Sequence, residues 1–87
     1  MPEISRFYGI RITMYIGMRE HPPPHFHAEY SGQEALIRIP TGELLEGSLP
    51  RHALARVQEW CDLHRDELEE NWKLARTEQS LHGISPL

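Results

Sequence analysis

The chain has 87 residues, of which 25% are charged and 39% hydrophobic, a composition that fits one small globular domain and excludes both a second domain and a disordered chain. A formal net charge of −4 argues against a surface that clings to nucleic acid all over, and the single cysteine, Cys61, excludes an internal disulfide framework and a multi-cysteine zinc site. The unusual feature is six histidines, three of which fall between positions 21 and 27.

No apolar run reaches the roughly 18 residues that span a bilayer. The start of the chain, Met1-Pro2-Glu3-Ile4-Ser5-Arg6, lacks the basic-then-apolar pattern of a secretory signal. The expectation is a cytoplasmic protein with no membrane association. A domain of this size buries only somewhat more than ~60% of its unfolded surface, so a homodimer or a protein partner would add useful burial.

Ile4 to Phe7 reads as a short strand, with Gly9 as a break or bulge after it. Ile10, Ile12, Met14 and Ile16 then share one face of a strand, with Arg11, Thr13 and Tyr15 on the other. The three prolines at 22–24 fix φ and remove three N–H donors, which predicts a stiff, extended connector. Residues 25–30 alternate again: Phe26, Ala28 and Tyr30 point one way, His25, His27 and Glu29 the other. Ser31-Gly32 is a turn signal. Ala35, Ile37 and Ile39 continue the apolar face, with Arg38 on the polar one, and Pro40-Thr41-Gly42 ends that strand. Glu43 to Glu46 fits one more short strand. The pattern predicts an antiparallel meander of three to five strands, apolar on one side.

After Gly47 the period changes. Pro50 suits a first helical turn. Ala53, Leu54, Val57, Trp60, Cys61 and His64, then Leu68, Trp72 and Ala75, recur at helical spacing. A single straight helix over residues 50–76 would run ~40 Å, longer than a domain about 30 Å across, so a break is expected near 62–66. Asp66 with Glu69 matches the spacing of a capping box for the second segment. Residues 77–87 read as an extended tail whose Leu81, Ile84 and Leu87 dock back on the body. The fold class is therefore α+β: a sheet half (1–47), two C-terminal helices (48–76) packed on one sheet face, and the tail (77–87), in one domain.

With the helices on the apolar face, the opposite face is expected to stay open and to carry Arg11, Thr13, Tyr15, His25, His27, Glu29 and Arg38. Arg11, Tyr15, His25, His27, Glu29 and Arg38 are the predicted binding surface. Residues two apart on a strand point the same way at roughly 6–7 Å, so His25 and His27 form a natural pair. Joined by His21 across the prolines, and by Glu20 or Glu29, the pair has the ligand types for zinc or nickel. Without a metal, His25 and His27 supply an acid and a base, Arg11 or Arg38 a cation, and Tyr8 or Tyr15 a hydroxyl, the kit of a metal-independent ribonuclease. A plain polar strand face explains the same residues. Trp60 and Trp72 read as core, and Cys61 and His64 as buried members of their stripe. The acidic excess lies in the helical half, so the histidine-bearing sheet is close to neutral. Nucleic acid is a possible partner that the net charge does not favour, because the arginines are dispersed.

Several stretches together resemble a known family: Ile4-Ser5-Arg6-Phe7-Tyr8-Gly9-Ile10, Pro23-Pro24-His25-Phe26-His27-Ala28-Glu29-Tyr30, Thr41-Gly42-Glu43-Leu44-Leu45-Glu46-Gly47, and the helical Trp60, His64-Arg65, Glu67-Leu68 and Asn71-Trp72. They are similar to the bacterial domain-of-unknown-function family 4160. The resemblance implies a short cytoplasmic bacterial protein with no established activity or catalytic residue. It also implies a second small protein encoded beside it, the two acting as a toxin–antitoxin-like or regulatory module through protein contacts.

Overall fold

The computed structural model describes residues 2–17 and 22–87. Five strands, β1 (Glu3–Phe7), β2 (Ile10–Thr13), β3 (His25–Tyr30), β4 (Gln33–Arg38) and β5 (Leu44–Gly47), precede two helices, α1 (Arg51–Leu63) and α2 (Arg65–Arg76). The strands form one antiparallel sheet in sequence order, β1-β2-β3-β4-β5. The expected α+β class, meander and two C-terminal helices are present, with the strand number at the top of the expected range.

Gly9 is a break between two strands and not a bulge. Tyr8 and Gly9 form the two-residue turn between β1 and β2, both with positive φ (50° and 78°), and Ser31-Gly32 repeats this between β3 and β4 (49° and 80°). Such turns carry the twist that two adjacent antiparallel strands require. The irregularities of register lie instead between Glu3 and Ser5 in β1 and between Leu36 and Ile37 in β4. β2 stops at Thr13, sooner than the alternation predicts. Met14 still packs in the core, but Ile16 is exposed, because the chain has left the sheet by then.

The apolar face does pack on the helices. Ile10, Ile12, Phe26, Ala28, Ala35 and Ile37 are fully buried against Ala53, Val57, Trp60 and Leu68. Trp60 is the centre, with Phe7 and Phe26 rings 5.4 and 5.6 Å away. Burying one such indole removes ~150–250 Å² from water, about 4–6 kcal/mol of gross stabilisation. Its N–H stays satisfied, donating to the carbonyl of Ser85 at 2.8 Å.

The helical run breaks at His64 (φ −122°, ψ 31°), inside the expected window. Pro50 stands just before α1 rather than in its first turn. The capping assignment moves by two residues. α2 starts at Arg65, so the cap-and-third-residue pair is His64 with Glu67, whose Nδ1 and carboxylate oxygen lie 2.6 Å apart, and Asp66 caps nothing. The buried line of α2 is Leu68, Asn71 and Ala75; Trp72 sits on its flank, half-buried. Asn71 is fully buried and holds the tail through two bonds to the His82 backbone. Ile84 is buried and its N–H donates to the carbonyl of Ile4 at 2.8 Å, with Leu81 and Leu87 packed alongside. No described helix is long and apolar enough to cross a membrane.

Candidate functional site

The second sheet face is built from cross-strand rows. Opposed residues of an antiparallel pair share a face, so register alone sets these neighbours. One row runs Arg11, Glu29, Glu34; the next runs Thr13, His27, Leu36, Glu46; the third holds His25 opposite Arg38. Leu36, which the sequence reading passed over, thus stands beside His27 on this face.

Five aromatic and cationic side chains form a strip at one end of these rows. The Tyr15 ring meets His27 edge-on at 4.5 Å. His27 and His25 rings are 5.5 Å apart. His25 lies 5.2 Å from the Trp72 ring, over which the Arg76 guanidinium stands at 5.6 Å. The chain just after β2 is tied to this end of α2, since the Gly17 N–H donates to the carbonyl of Ala75 at 2.8 Å. Helix α2 therefore reaches past the apolar face and contributes Trp72 and Arg76 to the polar one. Only the position of Trp72 at the flank of its helical stripe hinted at this.

The strip is less open than an uncovered face would be. Thr13 and His25 are buried, and the His27 side chain is 12% exposed, while Arg11, Glu29 and Arg38 remain at the surface. His25 Nδ1 lies 2.9 Å from the carbonyl of Pro23, which can only accept, so that nitrogen carries the proton. His27 Nδ1 lies 3.4 Å from the Glu34 carboxylate. Arg11 reaches Glu3 at 3.0 Å and Glu29 at 3.9 Å, and Arg38 reaches Glu43 at 3.7 Å. The charges around the strip are thus matched pair by pair. The guanidiniums of Arg6 and Arg11 hydrogen-bond to Glu3 and hold its carboxyl below the usual range.

Of the predicted site residues, the fold brings Tyr15, His25 and His27 into contact, sets Arg38 directly across from His25, and pairs Arg11 with Glu29 one row on. His21 and Glu20 lie outside the described residues, so the three-histidine zinc or nickel site rests on His25 and His27 alone here. Among the described residues no three His, Cys, Asp or Glu side chains converge as metal ligands. Tyr8 is at the tip of the β1–β2 hairpin, against α1 rather than in the strip. Cys61 is buried, its Sγ 3.7 Å from the carbonyl of Pro40, and burial pushes its thiol up to about 11, which makes it a packing residue and not a nucleophile. A cleft of about 510 Å³ lies at the α1–α2 elbow between Leu63, His64, Asp66 and Glu67, away from the strip.

A family model described as a domain of unknown function (DUF4160) matches residues 9–73, from the β1–β2 turn to the last turns of α2. No curated protein and no solved structure matches the chain. The matched stretch takes in Tyr15, His25, His27, Arg38 and Trp72, so the core of the strip falls within it.

Proposed function

The chain belongs to the DUF4160 family of unknown function, and from its geometry we propose that it is a small interaction protein whose polar sheet face, opposite the helix-packed one, docks a second protein. The observation that carries this reading is the layout of that face. A partly buried centre of Tyr15, His27 and Leu36 is surrounded by Arg11, Glu29, Glu34 and Arg38. An aromatic and apolar centre inside a charged rim is the anatomy of a protein interface. The rim charges are already matched within the chain, which suits a protein partner better than a polyanion. The partner we assign is the small protein encoded beside this one, in a bacterial, cytoplasmic, toxin–antitoxin-like or regulatory pair. A second copy of this chain is the alternative occupant.

The ribonuclease alternative draws on the 5.5 Å separation of the two imidazoles. The burial of His25 keeps one of the two from a substrate, so the pair is better suited to stiffening the face than to acid–base work. The zinc or nickel alternative awaits His21 and is tested by metal titration of the His25→Ala and His27→Ala variants.

The test is co-expression with the neighbouring gene product, followed by affinity capture and light scattering. A stoichiometric complex is expected, weakened at least tenfold by Leu36→Glu, because a charge placed at the centre of a dry interface is poorly compensated. A monomeric chain that forms no complex would overturn the proposal, as would a complex indifferent to Leu36→Glu. Growth arrest by the chain expressed alone, abolished by His27→Ala, would move the assignment to the ribonuclease.

A further inference from the structure

The β1–β2 turn holds a residue that turn chemistry does not ask for. Tyr8 occupies the first left-handed position, φ 50°, where asparagine, aspartate or glycine is the usual choice. Strain of this kind persists where the surroundings impose it, and it collects at functional positions. Burial does not explain Tyr8, since it is 61% exposed. What the ring does touch is the Arg56 guanidinium, 3.9 Å from its centroid.

A second tyrosine adjoins it. Tyr30 packs against the same turn, so closely that a Cβ on Gly9 would stand 3.5 Å from its ring. The Tyr30 hydroxyl lies 3.3 Å from His52 Nε2, with the two rings edge to face at 5.5 Å. His52 and Arg56 are one helical turn apart on α1, so strand turn and helix together present two phenols, an imidazole and a guanidinium on one surface.

The charge here differs from that of the sheet face. Arg6, Arg11, Arg38 and Arg65 each have a carboxylate within 4 Å. Among the described residues Arg56, and Arg51 at the start of the same helix, have none. Arg56, left without a carboxylate and set against an exposed aromatic ring, matches the two elements of single-strand recognition: a cation for phosphate and a platform for a base.

We infer that this surface binds single-stranded nucleic acid, with a base stacked on the exposed Tyr8 ring and the flanking phosphates held by Arg56 and His52. Arg56 backs the Tyr8 ring and extends the stack, as guanidiniums do on aromatic faces. Stacking of this kind requires an unpaired base, so a duplex is a poor ligand. Net charge does not forbid the contact, because the acidic excess lies in the helical segment beyond residue 60, whereas Tyr8, Tyr30, His52 and Arg56 all precede it.

Fluorescence anisotropy with short labelled RNA and DNA strands, each beside its duplex, tests the inference. Binding of one or both single strands is expected, weaker for the duplex, with log affinity falling against log salt at a slope of about −0.7 for the one phosphate neutralised by Arg56. Tyr8→Asn is the decisive variant, because asparagine suits the left-handed turn and so raises the melting temperature while removing the ring. It should weaken binding by about tenfold or more, as loss of one stacked base does. Arg56→Gln should flatten the salt slope, and Leu36→Glu, on the sheet face, should leave binding unchanged. The inference fails if neither strand binds, if the duplex binds as well as the strands, if Tyr8→Asn binds like the original chain, or if Leu36→Glu abolishes binding.

Discussion

Replacing Asn71 with alanine isolates what holds the tail. Asn71 is fully buried; its Nδ2 donates to the carbonyl of His82 and its Oδ1 accepts from the His82 N–H, both at 2.9 Å. Each bond contributes about 1 kcal/mol net, and the three missing heavy atoms leave a void that costs about 1 kcal/mol more. The expected loss is therefore about 3 kcal/mol. A domain of this length has roughly 4–13 kcal/mol in all, and a drop in melting temperature of about 12–24 °C follows. Urea unfolding followed by tryptophan fluorescence measures the loss. Hydrogen exchange of the Ile84 amide, which donates to the Ile4 carbonyl, locates it. Asn71→Asp keeps the volume but turns an oxygen toward the His82 carbonyl, so it should lose as much without any void. A loss below about 0.5 kcal/mol with unchanged protection at Ile84 would show that Leu81, Ile84 and Leu87 hold the tail unaided, and the reasoning would be refuted.

Two further outcomes follow from single residues. Gly47, φ 79°, has the Glu34 carbonyl oxygen where a Cβ would stand, so Gly47→Ala should destabilise by about 2–4 kcal/mol and loosen β5, read as faster exchange of the Ser48 amide. The Cys61 thiol is raised from 9.0 to about 11 by burial, so unfolding releases a proton between those values and stability falls as pH rises through that window. About 2 kcal/mol should disappear from neutral pH to pH 11, less in Cys61→Ala, and the native thiol should resist iodoacetamide at pH 8.

Much of the sheet is legible from alternation, because a half-buried strand exposes its period directly: Ile10 with Ile12, Phe26 with Ala28, and Ala35 with Ile37 all face the helices. What escapes is set by contacts distant in sequence. Ile16 fits the alternation but lies beyond the end of β2, where the backbone bonds to α2 instead. Tyr8 carries no turn signal, since its conformation is imposed by the hairpin and by Arg56. Asn71 is a polar residue on an apolar stripe, intelligible only once the tail supplies its partners. The polar face was legible as a list of residues, and Tyr15, His25 and His27 do meet. Its partial burial was not, because Trp72 and Arg76 come from a helix assigned wholly to the other face.

The tail contact has a consequence for how the chain is made. Strands β1 to β5 pair only with sequence neighbours, so the meander can form progressively as it is synthesised, N-terminal part first. Trp60 and Asn71 are different: their partners are Ser85 and His82, a stretch translated after both of them. Until that stretch emerges, a central indole N–H and a buried amide lack their acceptors and donors, and Ile4 lacks the partner it meets through Ile84. The fold thus closes only once Ser85 has emerged from the ribosome, which makes chains cut short before that residue natural targets for proteolysis.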